Sequence, residues 1–250
     1  MKILVLSDVH GNWPALQAVL RAEPDANRIL CLGDLVNYGP QPVECVAWAM
    51  GLDARSRVLQ GNHDLAFSAG TSPGTSAAYE LITEAMQAAT APLLSPEMRR
   101  FLGGLEPLQK FRWEGNNCVA CHAVPTDPLY GYLGEQAAPT LWESELVEVK
   151  YPDILFLGHT HIPMMTQFQR TLVINPGSVG QPRDGDAWAA YAIWKEDSVA
   201  LRRAAYDVEA TIQAYQRLSL EPQIKQRLAE ILRTGGRILT ELPAETAGPK

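Results

Sequence analysis

Apolar residues run without a break from residue 3 to residue 6, and Ser7 and Asp8 follow at once. The next apolar positions, Leu16, Val19 and Leu20, recur at helical spacing within residues 12–22, with Pro14 in the first turn. The change of period predicts a strand over residues 3–7, a turn and a helix. The same alternation continues with a strand over residues 28–32, a helix over 43–50 and a third strand over 57–60 that stops at Gly61. Polar residues with chemical potential fall just past the carboxyl ends of these strands: Asp8 and His10, then Asp34, then Asn62 and His63. In open α/β sheets that edge is where ligands bind.

From about residue 66 to 104 the texture changes. Two Ser/Thr/Gly/Pro-rich breaks, residues 68–76 and 90–95, flank a helical stretch over 77–89, which reads as a helical insertion beside the site. It could shape the mouth of the site or serve packing alone. The second half is strand-rich. Residues 109–113 and 118–123 suit a hairpin across 114–117, and further strands fall at 154–157, 164–169, 172–174, 188–194 and 198–203. Their short links imply mostly antiparallel pairing. Helices return at 208–218 and 222–232, closed by Gly235-Gly236. The expected fold is α/β (α+β), two packed β-sheets with helices outside. It forms one domain over residues 1–240, with the insertion at about 66–104, C-terminal helices at about 207–233 and a disordered tail over 241–250. The apolar faces of the last helices suit either packing or a homo-oligomer contact.

Bulk properties narrow the function. With 250 residues, 46% of them hydrophobic, the chain can bury a full core. A formal charge of −7 and the lack of any Lys/Arg run argue against a duplex nucleic acid partner. Single nucleotides stay open, because bound metals can supply the positive charge. The N-terminus reaches Asp8 too soon for a signal peptide, and no stretch approaches membrane-spanning length, so the expected location is cytoplasmic, with no membrane partner. The four cysteines read as buried reduced thiols. Cys118-Val119-Ala120-Cys121-His122 matches the haem-attachment spacing, but covalent attachment needs export and the segment reads as an apolar strand.

The histidines carry the chemistry. All five stand in or near acidic or glycine-flanked clusters: Asp8-Val9-His10, Gly61-Asn62-His63-Asp64, His122 after a strand, and Gly158-His159-Thr160-His161, with Gly33-Asp34 between the first two. Alone, His122 would read as a packed residue and Asp34 as a turn aspartate; their company changes both readings. The set is the ligand inventory of a site for two divalent or mixed-valent metals, with one histidine to spare. Asp8/His10 and His159/His161 share an i, i+2 spacing, which in extended backbone points both side chains to one face. Gly33 lets the chain turn and lift Asp34, whose two oxygens could bridge two cations. Oxygen and imidazole donors without thiolate favour Mn, Fe, Zn, Co or Ni. Asn12 suits a helix cap or a contact near phosphate. Arg183 suits a phosphate or ribose contact, or a solvated position. Asp127 and Tyr130 could line a pocket, and residues 175–178 form a turn closing the site.

The ordered series D-x-H, G-D, G-N-H-D, H, G-H-T-H resembles the calcineurin-like metallophosphoesterase superfamily over residues 2–203. Residues 7–12, 33–40 and 175–183 resemble its small prokaryotic branch, often labelled diadenosine-tetraphosphatase-like. The resemblance implies a four-layer fold of two mixed sheets between helices. It implies one metal at Asp8, His10, Asp34 and His161, a second at Asp34, Asn62, His122 and His159, and His63 as a catalytic non-ligand. By that likeness a metal-bridging hydroxide attacks a small, nucleotide-derived phosphodiester, and His63 steadies phosphoryl oxygens or protonates the leaving alkoxide. Asn37-Tyr38 replaces the Asp-Arg of the superfamily's protein phosphatases, which argues against a phosphoprotein substrate. Asp64 and Ala123 depart from the common Glu and Gly. A dinucleoside polyphosphate hydrolase would share the same core. A non-catalytic scaffold, as in the retromer subunit that resembles these enzymes, fits less well because His63 and every ligand position are intact.

Overall fold

β1 (Lys2–Leu6) shows why the chain folds in layers. Ile3 and Val5 point into one apolar cluster, Leu4 and Leu6 into another, and all four are buried. A strand covered on both faces reads as an unbroken apolar run. A computed structural model describes residues 1–196 and 198–236. In it β1 lies at the centre of a five-stranded sheet with β2 (Arg28–Cys31) and β3 (Arg57–Val58) on one side, both parallel. On the other side β9 (Ala189–Lys195) and β10 (Ser198–Ala204) pair antiparallel.

The second sheet has the order β4-β5-β6-β8-β7, built from β4 (Leu108–Trp113), β5 (Asn116–Cys121), β6 (Ile154–Phe156), β7 (Met164–Phe168) and β8 (Thr171–Asn175). Ile3, Val5, Leu30 and Leu32 of the first sheet meet Cys118, Ala120, Phe156 and Ile174 of the second in the inter-sheet core. Outside the first sheet pack α1 (Trp13–Ala22), α2 (Pro42–Met50), α3 (Asn62–Ala69) and α5 (Pro96–Gly103). Outside the second packs α6 (Pro139–Glu148), through Trp142 and Leu146. Two mixed sheets flanked by helices are thus the architecture, as expected.

A further helical cluster sits apart from these layers. α4 (Ala77–Thr90) places Ile82 and Met86 against Ile212 and Tyr215 of α7 (Val208–Tyr215) and Leu228 and Leu232 of α8 (Pro222–Thr234). Tyr38 belongs to the same cluster, so these helices press on a residue of the site. The expected tail over 241–250 lies outside the described residues.

Three readings need correction. The β4–β5 turn is two residues, Glu114 and Gly115, not four. Both have positive φ (49° and 84°), the geometry of a two-residue hairpin, and Asn116 already pairs with Trp113. Pairing is less antiparallel than the short links implied, because β6 runs parallel to both β5 and β8. Parallel neighbours need a crossover, and α6, hidden in the stretch between β5 and β6, supplies it. Finally, β3 covers Arg57–Val58 and stops short of the expected 57–60, and Asn62 and His63 beyond it open helix α3. The four cysteines are buried and unpaired, and burial raises their thiol pKa values, that of Cys118 to about 12. Cys118 and Cys121 belong to the clusters on opposite faces of β5, so they cannot share one metal. Among the described residues no helix is long and apolar enough to cross a membrane.

Candidate metal centre

The ligand loops leave the strands by a route the period-2 argument did not foresee. β1 ends at Leu6, and Asp8 and His10 lie beyond it in left-handed backbone, at φ 53° and 47°. Asp34, His159 and His161 share that conformation, at φ 56°, 65° and 61°. Each such residue costs about 1–3 kcal/mol and persists only where its surroundings over-determine it. Those surroundings are visible. The Asp8 and His10 amides donate to the Gly33 and Asp34 carbonyls at 3.0 and 2.8 Å. Ser178 Oγ donates to the Asp8 carbonyl at 2.8 Å, and Asn175 Nδ2 to the Gly158 carbonyl at 2.7 Å, so residues 175–178 bind the first and last ligand loops together. A Cβ on Gly180 would lie 1.9 Å from the Val9 carbonyl oxygen, which leaves glycine alone able to close this junction.

These loops bring six predicted residues into two groups, Asp8/His10/His161 and Asp34/His122/His159. Within each group the potential ligand atoms lie within 4.8 Å of one another. The His159/His161 pair therefore serves two spots and not one, because its backbone is not extended. Nδ1 of His10, His122 and His161 meets the carbonyls of Val36, Leu32 and Gln181 at 2.9, 2.8 and 2.6 Å. Each ring is thereby fixed with Nε2 toward its group, the outer-shell arrangement common to metal-binding imidazoles. Asn62 donates Nδ2 to the Pro73 carbonyl at 2.7 Å, which turns Oδ1 to within 3.1 Å of His122 Nε2.

The two carboxylates divide their oxygens alike. Asp34 Oδ1 accepts the His63 amide at 2.9 Å, and Asp8 Oδ2 accepts the His159 amide at 3.1 Å. Their other oxygens are buried without a hydrogen-bond partner. Asp34 Oδ2 lies 3.3 Å from His122 Nε2 and 3.7 Å from His10 Nε2, and so faces both groups. Asp8 Oδ1 lies 3.3 Å from His161 Nε2. A buried unpaired carboxylate oxygen is costly unless a cation or donor meets it. The orphaned oxygens and the oxygen/imidazole donor set fit divalent cations.

Electrostatics agree. Burial pushes His10 down to about 4, His159 to about 3, and His161 below its ordinary value, so these rings are neutral, the metal-binding form. His122 differs: burial opposes its charge, but Asp34 and Asp8 outweigh it and lift the ring to about 9, so this ring must release a proton to take a cation. Burial likewise works against ionisation of Asp8 and Asp34, yet the facing imidazoles hold both carboxyls below the usual range.

His63 stands outside both groups, its ring 5.1 Å from those of His10 and Tyr38. Burial holds it well below its ordinary pKa. Its Nδ1 lies 2.9 Å from Asn37 Nδ2, and Asn37 Oδ1 is already occupied by the Tyr38 amide at 2.8 Å. The Asn37 amide therefore donates to Nδ1, leaving the His63 proton on Nε2. Tyr38, where the protein phosphatases carry arginine, meets a guanidinium from elsewhere. Arg183 donates to Tyr38 Oη at 3.4 Å and Gln181 Oε1 at 3.0 Å, and lies 4.4 Å over the Tyr79 ring. It lines the cavity above the groups and has no carboxylate partner among the described residues.

Asn12 does not line that cavity. Its carbonyl accepts the Ala15 amide and the Thr211 hydroxyl, and its amide donates to the Gly180 carbonyl and Tyr206, so it caps α1 and has no capacity left for substrate. Tyr130 does line the cavity, whereas Asp127 braces the loop before it by accepting the Tyr130 amide. Asp64, noted in the sequence only as a departure from the common Glu, has a structural role: its carboxylate accepts the amides of Asp34, Leu35 and Gly61 at 2.8, 2.8 and 3.0 Å. Burial and the neighbouring Asp34 raise its pKa to about 7. The missed signal was an acid at the third position after a glycine N-cap. Tyr79 and Tyr132 were missed too, since nothing in their local sequence marks them.

The calcineurin-like phosphoesterase superfamily domain matches residues 1–198. An uncharacterized protein of Methanocaldococcus jannaschii, MJ0912, is 32% identical over 92% of this chain and 95% of its own length. The phosphodiesterase YfcE of Escherichia coli K12 is 26% identical over 80% of this chain and 91% of its own. Among solved structures, a metallophosphoesterase from Sphaerobacter thermophilus superposes with a TM-score of 0.74 at 29% identity, covering 92% of this chain and 98% of that one. The chain belongs to the calcineurin-like phosphoesterase superfamily.

Proposed function

We propose that this superfamily member is a phosphoesterase working with two divalent cations on small, nucleotide-derived phosphodiesters. One observation carries the reading: Asp34 Oδ2, buried and without a hydrogen bond, faces His122 of one group and His10 of the other. Asp8, His10, Asp34 and His161 would hold one cation, and Asp34, Asn62, His122 and His159 the second. Bound there, the pair supplies Lewis-acid activation of water and positive charge for phosphoryl oxygens.

The chain's own residues do the rest. The carbonyl-pinned imidazoles and backbone-held carboxylates keep the ligand atoms rigid, so no reorganisation is needed during the reaction. His63 presents an Nε2–H donor to a phosphoryl oxygen while Asn37 holds the ring from behind. Arg183, set on Tyr79 and Tyr38, contributes a fixed cation on the cavity wall for a non-bridging oxygen. The same Asn37 contact favours a second reading, hydrolysis of dinucleoside polyphosphates. A neutral His63 suits leaving groups that depart without taking a proton, as the phosphate end of a nucleotide does at neutral pH.

Turnover of bis(p-nitrophenyl) phosphate, cyclic nucleotides, dinucleoside polyphosphates and phosphomonoesters by the Mn-loaded protein tests the proposal. Diester cleavage abolished by Asp34→Asn is the expected result. No turnover of any of the four by a protein holding two cations would turn the reading toward a scaffold.

A further inference from the structure

The cavity above the two groups has a volume of about 400 Å³ and four tyrosines in its wall, Tyr38, Tyr79, Tyr130 and Tyr132. None of them belongs to either ligand group. Tyr38 is buried in the helical cluster and Tyr79 packs against it, so their rings are committed to the fold. Tyr130 and Tyr132 differ. They are 45% and 61% exposed, and neither hydroxyl has a hydrogen-bond partner among the described residues.

Such exposure would mean little on a floppy loop, because single exposed aromatics are ordinary. This loop is braced. The Ala123 amide donates to the Pro128 carbonyl at 2.9 Å and the Gly131 amide to the Asp127 carbonyl at 3.1 Å. The Tyr130 amide donates to Asp127 Oδ1 at 3.2 Å, and Thr126 donates twice to Glu145 of α6. Tyr130 lies against the opposite wall at Gly74, where an added Cβ would come within 3.3 Å of its ring. The Tyr132 ring stands 5.9 Å from that of His159, next to the second group. It also borders a neighbouring cavity of about 490 Å³ with a mainly apolar lining that includes Leu133, Leu141 and Ile162. Tyr130 thus sits on a fixed frame, and Tyr132 directly follows that frame at Gly131 with its ring beside a candidate ligand.

We propose that Tyr130 and Tyr132 form a stacking platform for an aromatic base, so that the substrate is a nucleoside phosphoester held by its base at the mouth and its phosphoryl group on the floor. This rests on the phosphoesterase reading only for the place of the phosphoryl group. A tyrosine face accepts any base, since every base has a π-face, and stacking of one base strengthens binding by about tenfold. The platform therefore selects for the presence of a base and does not discriminate among bases.

Calorimetric binding of adenosine 5′-monophosphate and ribose 5-phosphate to the Mn-loaded protein tests this, because the two share the phosphate and sugar and differ at the anomeric carbon, which carries the base in one and a hydroxyl in the other. The wild type should bind the nucleotide about tenfold more tightly. Tyr132→Ala should close most of that gap, Tyr130→Ala part of it, and Tyr132→Phe should keep it, since the face and not the hydroxyl stacks. Equal affinity of the wild type for the two ligands would overturn the platform, as would binding of neither, or a gap of the same width in both alanine variants. The phosphoesterase reading stands or falls separately, on turnover of diesters by the wild type. A protein that cleaves bis(p-nitrophenyl) phosphate but shows no gap would lose the platform and keep the activity.

Discussion

The floor of the cavity and its walls are built on opposite principles. Asp34 on the floor, and Asp8, His10 and His122 just beneath it, are essentially without solvent exposure, stand on loops leaving the two sheets, and are tied to backbone carbonyls and amides. The walls come from added parts: α4 brings Tyr79, the loop after β5 brings Tyr130 and Tyr132, and the guanidinium of Arg183 rests on side chains. A floor that must hold cations needs fixed atoms, and strained left-handed backbone is tolerated there because the sandwich over-determines it. A wall that meets only part of a substrate needs shape and surface. Changes in the floor should therefore remove chemistry, whereas changes in the wall should redirect it.

The largest effect expected is at Asp34. Asp34→Asn keeps the shape but weakens the link between the groups, and metal content should fall at both sites. The loss of turnover should exceed the about 10–100-fold that removal of an outer-shell partner costs. Metal analysis beside kinetics checks it, and an Asp34→Asn protein with full metal content and activity would break the floor model of the comparison. His63→Ala comes next. As a fixed donor outside both groups, its loss should lower kcat by about 10²–10³-fold with metals retained. The loss should be similar for p-nitrophenolate and alkoxide leaving groups. A loss confined to alkoxides would make His63 the general acid instead.

Asp64 lies beneath the floor. Asp64→Asn keeps one acceptor oxygen but turns an amide donor toward the Leu35 amide, or toward those of Asp34 and Gly61, and should destabilise the fold by about 1–3 kcal/mol. Metal affinity should drop with it, and thermal unfolding with and without Mn²⁺ reads both. In the wall, Arg183→Gln should raise KM by about tenfold with metal content unchanged. An emptied metal site in that variant would mean the wall supports the floor, and the contrast would blur. The smallest effect belongs to Cys118→Ser, which should retain both metal content and turnover, because that thiol faces the inter-sheet core.

The same contrast explains what the sequence disclosed. Floor residues announce themselves by type and company: a histidine beside a carboxylate, past a strand end, repeated along the chain. The layers were equally plain, because β1 is apolar on both faces and α1 and α2 have one apolar stripe each. Hidden from it were features decided by long-range contact. α6 exists to connect parallel strands, a pairing no local pattern reveals. The left-handed backbone at Asp8 and His161 follows from loops brought together across the two sheets. Asn12 could cap or bind until Tyr206 and Thr211 were seen to occupy it. Tyr132 is a tyrosine like any other until it stands beside His159.

The central claim is that the two groups act as one centre through Asp34. Titrating Mn²⁺ into metal-depleted protein, with electron paramagnetic resonance at each step, tests it most directly. Two equivalents per chain should bind, and the spectrum at saturation should be that of an exchange-coupled pair, lost in Asp34→Asn. A single equivalent in a fully active protein, or two magnetically isolated ions, would contradict it.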